Sequence, residues 1–274
     1  MPTRLGSDPH MLFEERLIYF PSRSLDPTPT DLGLEYDEVY ATAADGVRVH
    51  GWALQPGGTP RGWVLYSHGN GDTMAIRVGI MKPLVERDLG VLLYDYRGYG
   101  RSEGRPSEEG TYCDGEVMLA EAVRRAGDAR RVFLMGESLG GGVSHELAVR
   151  HPELAGLITT STFTSIPEMV VALLKLPALR RIVRTQYDNL AKVPRITLPR
   201  LILHGTLDEL VPYRMGETLR DASKPPADFL AVRGAGHNDI FDVAPEAAYG
   251  AIFAFIDRNL STDRRPAAQP DSAP

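Results

Sequence analysis

The sequence predicts an α/β fold: an eight-stranded, mostly parallel sheet with helices on both faces, an antiparallel N-terminal hairpin and a small helical cap. Three observations predict it. From Leu34 onward, short β-rich runs alternate with helical stretches, the pattern of parallel strands joined by crossover helices. Most of the strand-like runs are apolar throughout, as burial on both faces requires. The 274 residues, 43% hydrophobic and 24% charged, suffice for one large domain whose core needs neither disulfides nor a structural metal.

Taken in order, residues 1–33 read as an irregular lead-in, because Pro21 to Gly33 is rich in Pro, Ser, Thr and Asp. The folded domain is expected over 34–260. Glu35 to Ala43 and Val47 to Leu54 flank Ala44-Asp45-Gly46, and a Gly-containing turn between extended runs is a hairpin signal. Further strands are expected at Gly62 to Ser67, Gly90 to Tyr94, Arg131 to Met135, Gly156 to Thr160, Arg200 to His204 and Asp228 to Val232. Helices fall between them at Ala75 to Arg87, Tyr112 to Ala126, Leu139 to His151, Arg214 to Ala222 and Pro245 to Arg258, the last opening on a proline that suits a first turn. Ile166 to Val193 interrupts the rhythm with apolar helical sequence and reads as a cap inserted over about 163–195. The tail 261–274 carries three prolines and almost nothing apolar, so disorder is expected there.

Composition excludes several functions. Thirty Lys+Arg against 36 Asp+Glu leaves a net charge of −6, the wrong sign for a protein that must displace counterions from phosphate, so nucleic acid is not an expected partner. No 18 apolar residues run together; the densest stretch, Met169 to Leu179, is broken by Lys175 and Pro177, so no transmembrane segment is expected. The opening residues lack the apolar run of a signal peptide, and Pro2 excludes N-myristoylation. A soluble protein is expected, and its single cysteine, Cys113, fits a reducing, cytoplasmic setting. No fixed-period repeat is present.

The sharpest chemical signal is Gly136-Glu137-Ser138-Leu139-Gly140, set between a predicted strand and a predicted helix. A serine on such a turn takes a strained conformation that lifts its hydroxyl above the sheet, and small residues two positions either side let strand and helix pass closely. The helix start supplies N–H donors and a positive dipole end where negative charge develops. A serine hydroxyl needs a base, itself oriented by an acid. Downstream, Asp208 follows the strand ending at His204-Gly205, and His237 follows the next strand; these are the expected orienting acid and base, with Glu209 and Asp239 as rival acids. An oxyanion hole needs two backbone N–H donors. Leu139, after the nucleophile, is one; Asn70 in Ser67-His68-Gly69-Asn70-Gly71 is the other, with Gly71 the alternate if the turn is shifted by one. His68 is expected to buttress that turn.

Other chemistries find less support. The seven histidines include no H-E-x-x-H and no close pair at ligand spacing, so no metal is expected. Gly98-Tyr99-Gly100 lacks the third glycine of a dinucleotide fingerprint, since Glu103 stands there. Cys113 reads as a small, half-buried helix residue and His204 as a hydrogen-bonded strand end.

With these residues placed, the chain resembles an α/β-hydrolase from Glu15 to about Leu260. More narrowly it is similar to the depalmitoylase and lysophospholipase-like branch of α/β-hydrolase-domain-containing proteins. The resemblance is carried by Leu17-Ile18-Tyr19-Phe20-Pro21-Ser22-Arg23, the Ser67 to Gly71 turn, Tyr94 to Ser102, Gly104-Arg105-Pro106-Ser107, the Ser138 turn and His204-Gly205-Thr206-Leu207-Asp208. It implies triad roles for Ser138, Asp208 and His237, and a structural network around Asp95 and Arg97. Membrane-associated relatives carry a hydrophobic or multi-cysteine N-terminus that this sequence lacks. The expected function is a serine hydrolase that cleaves carboxylic esters or thioesters of small or acyl substrates through an acyl-enzyme, with no cofactor. Amide or peptide cleavage, perhydrolysis and a non-catalytic binding role on the same fold are the alternatives. The apolar stretch Met169 to Leu179 either lines an acyl pocket or packs the cap onto the body.

Overall fold

A computed structural model describes residues 9–260. The predicted disordered tail, 261–274, and the first eight residues of the lead-in lie outside the described residues. In chain order the helices are α1 (Pro9–Ile18), α2 (Val78–Val85), α3 (Glu108–Ala126), α4 (Leu139–Arg150), α5 (Ile166–Leu174), α6 (Asn189–Lys192), α7 (Tyr213–Ala222), α8 (Ile240–Val243) and α9 (Pro245–Leu260). The strands are β1 (Phe20–Pro21), β2 (Tyr36–Thr42), β3 (Arg48–Leu54), β4 (Gly62–Ser67), β5 (Gly71–Asp72), β6 (Leu89–Asp95), β7 (Val132–Glu137), β8 (Gly156–Thr160), β9 (Arg200–Gly205) and β10 (Asp228–Val232).

Eight strands form one sheet in the order β10-β9-β8-β7-β4-β6-β3-β2. Strand β3 runs antiparallel to both β2 and β6, and the remaining pairs are parallel. The apolar runs follow from this placement. Trp63 and Leu65 of β4 and Val132 and Leu134 of β7 join the core under α3 and α4, while Val64, Tyr66, Phe133 and Met135 join the core under α2 and α9. Both faces of a central strand are dry, so alternation disappears. The edges differ: β2 buries only Val39 and β10 only Val232. The predicted two-sided burial therefore fails at β10, where one neighbour strand is missing.

The hairpin turns at Gly46, whose φ of +87° suits a residue without Cβ. Helix α3 starts four residues before its predicted start because Ser107 caps it, accepting from the Gly110 N–H at 3.1 Å, with Glu108 and Glu109 in the first turn. The cap resolves into α5, a 3₁₀ turn over Pro177–Arg181 and the short α6.

The lead-in is not wholly irregular. It carries α1 and the two-residue β1, which pairs in parallel with β5. Its order comes from distant groups: the Glu14 carboxylate accepts the N–H groups of Arg184 at 3.0 Å and Thr185 at 2.7 Å, and Arg23 donates to the carbonyls of Gly100 and Ser102 at 2.8 and 2.9 Å. A ten-residue helix is marginal alone and needs such packing.

Candidate active site

Ser138 sits between β7 and α4 with φ +51° and ψ −114°, a strained conformation for a residue with a side chain. Neighbouring strands hold it there. Its N–H donates to the Thr160 carbonyl at 3.0 Å, and its carbonyl accepts from Thr162 Oγ1 at 2.9 Å. The flanking glycines are required by contact: a Cβ at Gly136 would stand 2.3 Å from the Gly140 oxygen, and one at Gly140 only 2.0 Å from the Ser67 oxygen.

The structure brings the three predicted side chains together. Ser138 Oγ lies 3.2 Å from His237 Nε2, and His237 Nδ1 donates to Asp208 Oδ2 at 2.9 Å. All three are buried, each less than a tenth exposed. They ride on loops after β7, β9 and β10, at the carboxyl ends of the strands, where open α/β sheets place their ligands. Burial alone would raise the Asp208 pKa. Hydrogen bonds from His204, His237 and the Val211 N–H outweigh it and hold the carboxyl well below the usual range. The second Asp208 oxygen accepts from the Leu210 and Val211 N–H groups at 3.0 and 2.7 Å. The rival acids stand elsewhere: Glu209 is exposed, and Asp239 accepts the Gly236 N–H at 2.7 Å.

Leu139 opens α4, so its N–H has no acceptor inside the helix. Asn70 is held from three directions. Its side-chain amide donates to the Ile18 carbonyl at 2.8 Å, and its own carbonyl accepts from the Phe20 N–H and the Tyr99 hydroxyl. Both Asn70 and Leu139 line the pocket at Ser138, whereas Gly71, the alternate, pairs with Phe20. His68 Nδ1 donates to the Gly69 carbonyl at 2.7 Å, a buttress for that turn, and burial lowers its pKa to about 3. Its Nε2 faces the buried Asp95, whose carboxyl burial pushes up to about 7. Arg97 closes the expected structural network, binding Asp114 at 2.9 Å and Asp45 at 2.5 Å.

Three features were missed from the sequence. Glu137, one residue before Ser138, accepts from Arg77 Nε at 2.6 Å and from the Tyr66 hydroxyl. A buried carboxylate at the end of a strand signals that a cation must lie near, but nothing local points to Arg77. His204 is the hydrogen-bonded strand end that was expected, donating to the Val211 carbonyl at 3.0 Å, but its approach to 3.3 Å from Asp208 was not foreseen. Finally, Leu17, Ile18 and Phe20 of the lead-in line the pocket of about 320 Å³ at Ser138 together with Phe163, Ile166 and Met169. Among the described residues no helix is long and apolar enough to cross a membrane.

Residues 58–191 match the family described as "Serine aminopeptidase, S33". The Mycobacterium tuberculosis protein Rv2307c, described as uncharacterized, is 32% identical over 252 residues, 91% of this chain and 88% of that protein. The "Alpha/beta hydrolase domain-containing protein WAV2" of Arabidopsis thaliana is 29% identical over 278 residues, 92% of this chain and 90% of that one. Among solved structures, the Pyrococcus furiosus esterase Pf2001 superposes with a TM-score of 0.74 at 22% identity, covering 88% of this chain and 97% of the other.

Proposed function

The chain belongs to the α/β-hydrolase superfamily, and from that premise we propose that it is a serine hydrolase of carboxylic esters and thioesters working through an acyl-enzyme. The observation that carries this reading is the relay from Ser138 Oγ through His237 to Asp208, at 3.2 and 2.9 Å, on a strained turn beside an apolar pocket. Ser138 Oγ attacks the acyl carbon while His237 Nε2 takes its proton. The bond to the leaving alcohol or thiol then breaks, and His237 returns the proton to that group. Water repeats the sequence and frees the acid. Asp208 holds the Nδ1–H tautomer and stabilises the imidazolium, and the N–H groups of Leu139 and Asn70 receive the developing oxyanion.

The family description raises peptide cleavage from a free N-terminus, which calls for an anionic group to meet the ammonium. The pocket at Ser138 has no carboxylate in its lining, and the adjacent Glu137 is already neutralised by Arg77. Esters are therefore favoured over aminopeptides. A fluorophosphonate probe should label the native protein, and Ser138→Ala should abolish labelling with little change in thermal midpoint. Labelling that survives in the alanine variant would sink the assignment.

A further inference from the structure

His204 stands near the end of β9, and the loop that follows brings Asp208, four residues on, back against it. Both side chains are fully buried. The imidazole Nε2 faces two oxygens: it donates to the Val211 carbonyl at 3.0 Å and stands 3.3 Å from Asp208 Oδ2, the oxygen that also accepts His237 Nδ1–H at 2.9 Å. Because both of these neighbours accept, the ring hydrogen must sit on Nε2. Nδ1 lies against α7, where it has no hydrogen-bond partner among the described residues and where a Cβ at Gly216 would stand only 2.5 Å from it. The helix backbone thus packs directly on the ring, and Tyr213 meets it edge to face with centroids 5.8 Å apart.

A strand-end histidine that only tied down the loop would need the Val211 carbonyl alone. The second contact does something the backbone does not. The N–H groups of Leu210 and Val211 both hold Asp208 Oδ1, at 3.0 and 2.7 Å, and leave Oδ2 to the two imidazoles. A carboxylate pinned at one oxygen can still turn the other out of line with its partner, and an orienting acid acts through that line. Resting on the hydrolase reading above, we infer that His204 is a positioning residue of the relay: its Nε2–H, meeting Oδ2 beside His237, keeps that oxygen directed at Nδ1 and so keeps the His237 ring in the tautomer that can take the proton of Ser138. Gly216 shares the task from outside the relay, since a side chain there would displace the His204 ring.

Two variants test this: His204→Phe keeps a buried ring and removes the donor, and His204→Gln keeps a donor without the ring. On p-nitrophenyl acetate the phenylalanine variant should lose about 10- to 100-fold in kcat with KM within about twofold of wild type, and the glutamine variant should recover most of that loss. Proton spectra of the free proteins read the relay directly. The His237 Nδ1–H resonance, assigned by its absence in His237→Ala, should move in the phenylalanine variant and return toward its wild-type position in the glutamine one. A lowered urea midpoint with kcat and resonance unchanged would overturn the inference and leave His204 a brace for Val211, as would a glutamine variant as slow as the phenylalanine one. Gly216→Ala, which presses on Nδ1 and leaves the donor in place, serves if the phenylalanine variant does not fold. It should shift the same resonance and lower kcat, and no change in either would count equally against the inference. If wild-type protein neither turns over p-nitrophenyl acetate nor takes a fluorophosphonate label at Ser138, the hydrolase reading itself falls and takes this one with it.

Discussion

The turn at Ser138 and the lead-in through α1 and β1 border the same pocket, but they are held in opposite ways. The turn is built from contacts between near neighbours in sequence and the adjacent strand β4: Gly136 against Gly140, and Gly140 against Ser67. Backbone presses on backbone there, and no side chain has room to relax. The lead-in hangs from polar contacts to remote segments, at Arg184 and Thr185, Asn70, Gly100 and Ser102. Few of these are deeply buried. On the proposed reading, the nucleophile rides on a turn locked by backbone contact, and one wall of its pocket rides on a segment held mainly by more accessible polar contacts.

This contrast can be broken at several strengths. The largest effect is expected for His237→Ala, which should lower kcat by on the order of 10³-fold or more and add little when combined with Ser138→Ala, because triad members act as a unit; the double-variant cycle on p-nitrophenyl acetate reads this. Next comes Gly140→Ala. Its Cβ would collide with the Ser67 oxygen, so a loss of about 3 kcal/mol or more is expected in urea unfolding, with activity lost as the turn shifts.

Asp95 lies behind the turn that carries Asn70, facing His68, and its effect depends on pH. Its folded pKa of about 7 stands above the unfolded value near 3.9. Between those values the native state holds a proton that the unfolded chain has released, so the Asp95 contribution to stability falls as pH rises through the window, against the opposite slope contributed by buried neutral His68. Asp95→Asn should remove this falling contribution, shifting the pH dependence by an order of a few kcal/mol between pH 4 and pH 8, measured as the change in urea midpoint. A midpoint with the same slope in both proteins would remove Asp95 as the cause. The smallest effect is expected at the lead-in. Glu14→Ala should cost about 1 kcal/mol, the worth of surface-accessible hydrogen bonds, and should lower turnover of dodecanoyl esters more than that of acetyl esters. Equal losses on both would mean that α1 does not contact the substrate.

The same contrast explains what could be read from the sequence. Strands such as Gly62–Ser67 and Gly156–Thr160 fall at their predicted residues, since an apolar run bounded by turns carries its own boundaries. The three side chains of the relay were legible because each follows a strand, and strand ends converge at one edge of a parallel sheet. Helix α1 was not legible: what orders it lies some 170 residues away in the cap. The Glu137 to Arg77 pair escaped for a similar reason, because the arginine belongs to a 3₁₀ turn before α2. The end of α3 was clearer than its start, where Gly110 and Thr111 dilute a helical pattern that the Ser107 cap restores.

Strand β4 pairs with β7 so that Ser67 stands opposite Gly136. The turn that carries Asn70 leaves the first of these strands and the turn that carries Ser138 leaves the second, so their separation is measured by the rungs of one ladder. A register slip is all or none, since moving by one residue would invert every side chain on the strand. The spacing of the Asn70 and Ser138 turns is therefore set in whole steps and cannot drift. What lies between the two strands bears on that measure through the few side chains that hold the Asn70 turn, such as the Tyr96 and Tyr99 hydroxyls on the His68 and Asn70 carbonyls, while the rest of α2, β6 and α3 supports it only through packing.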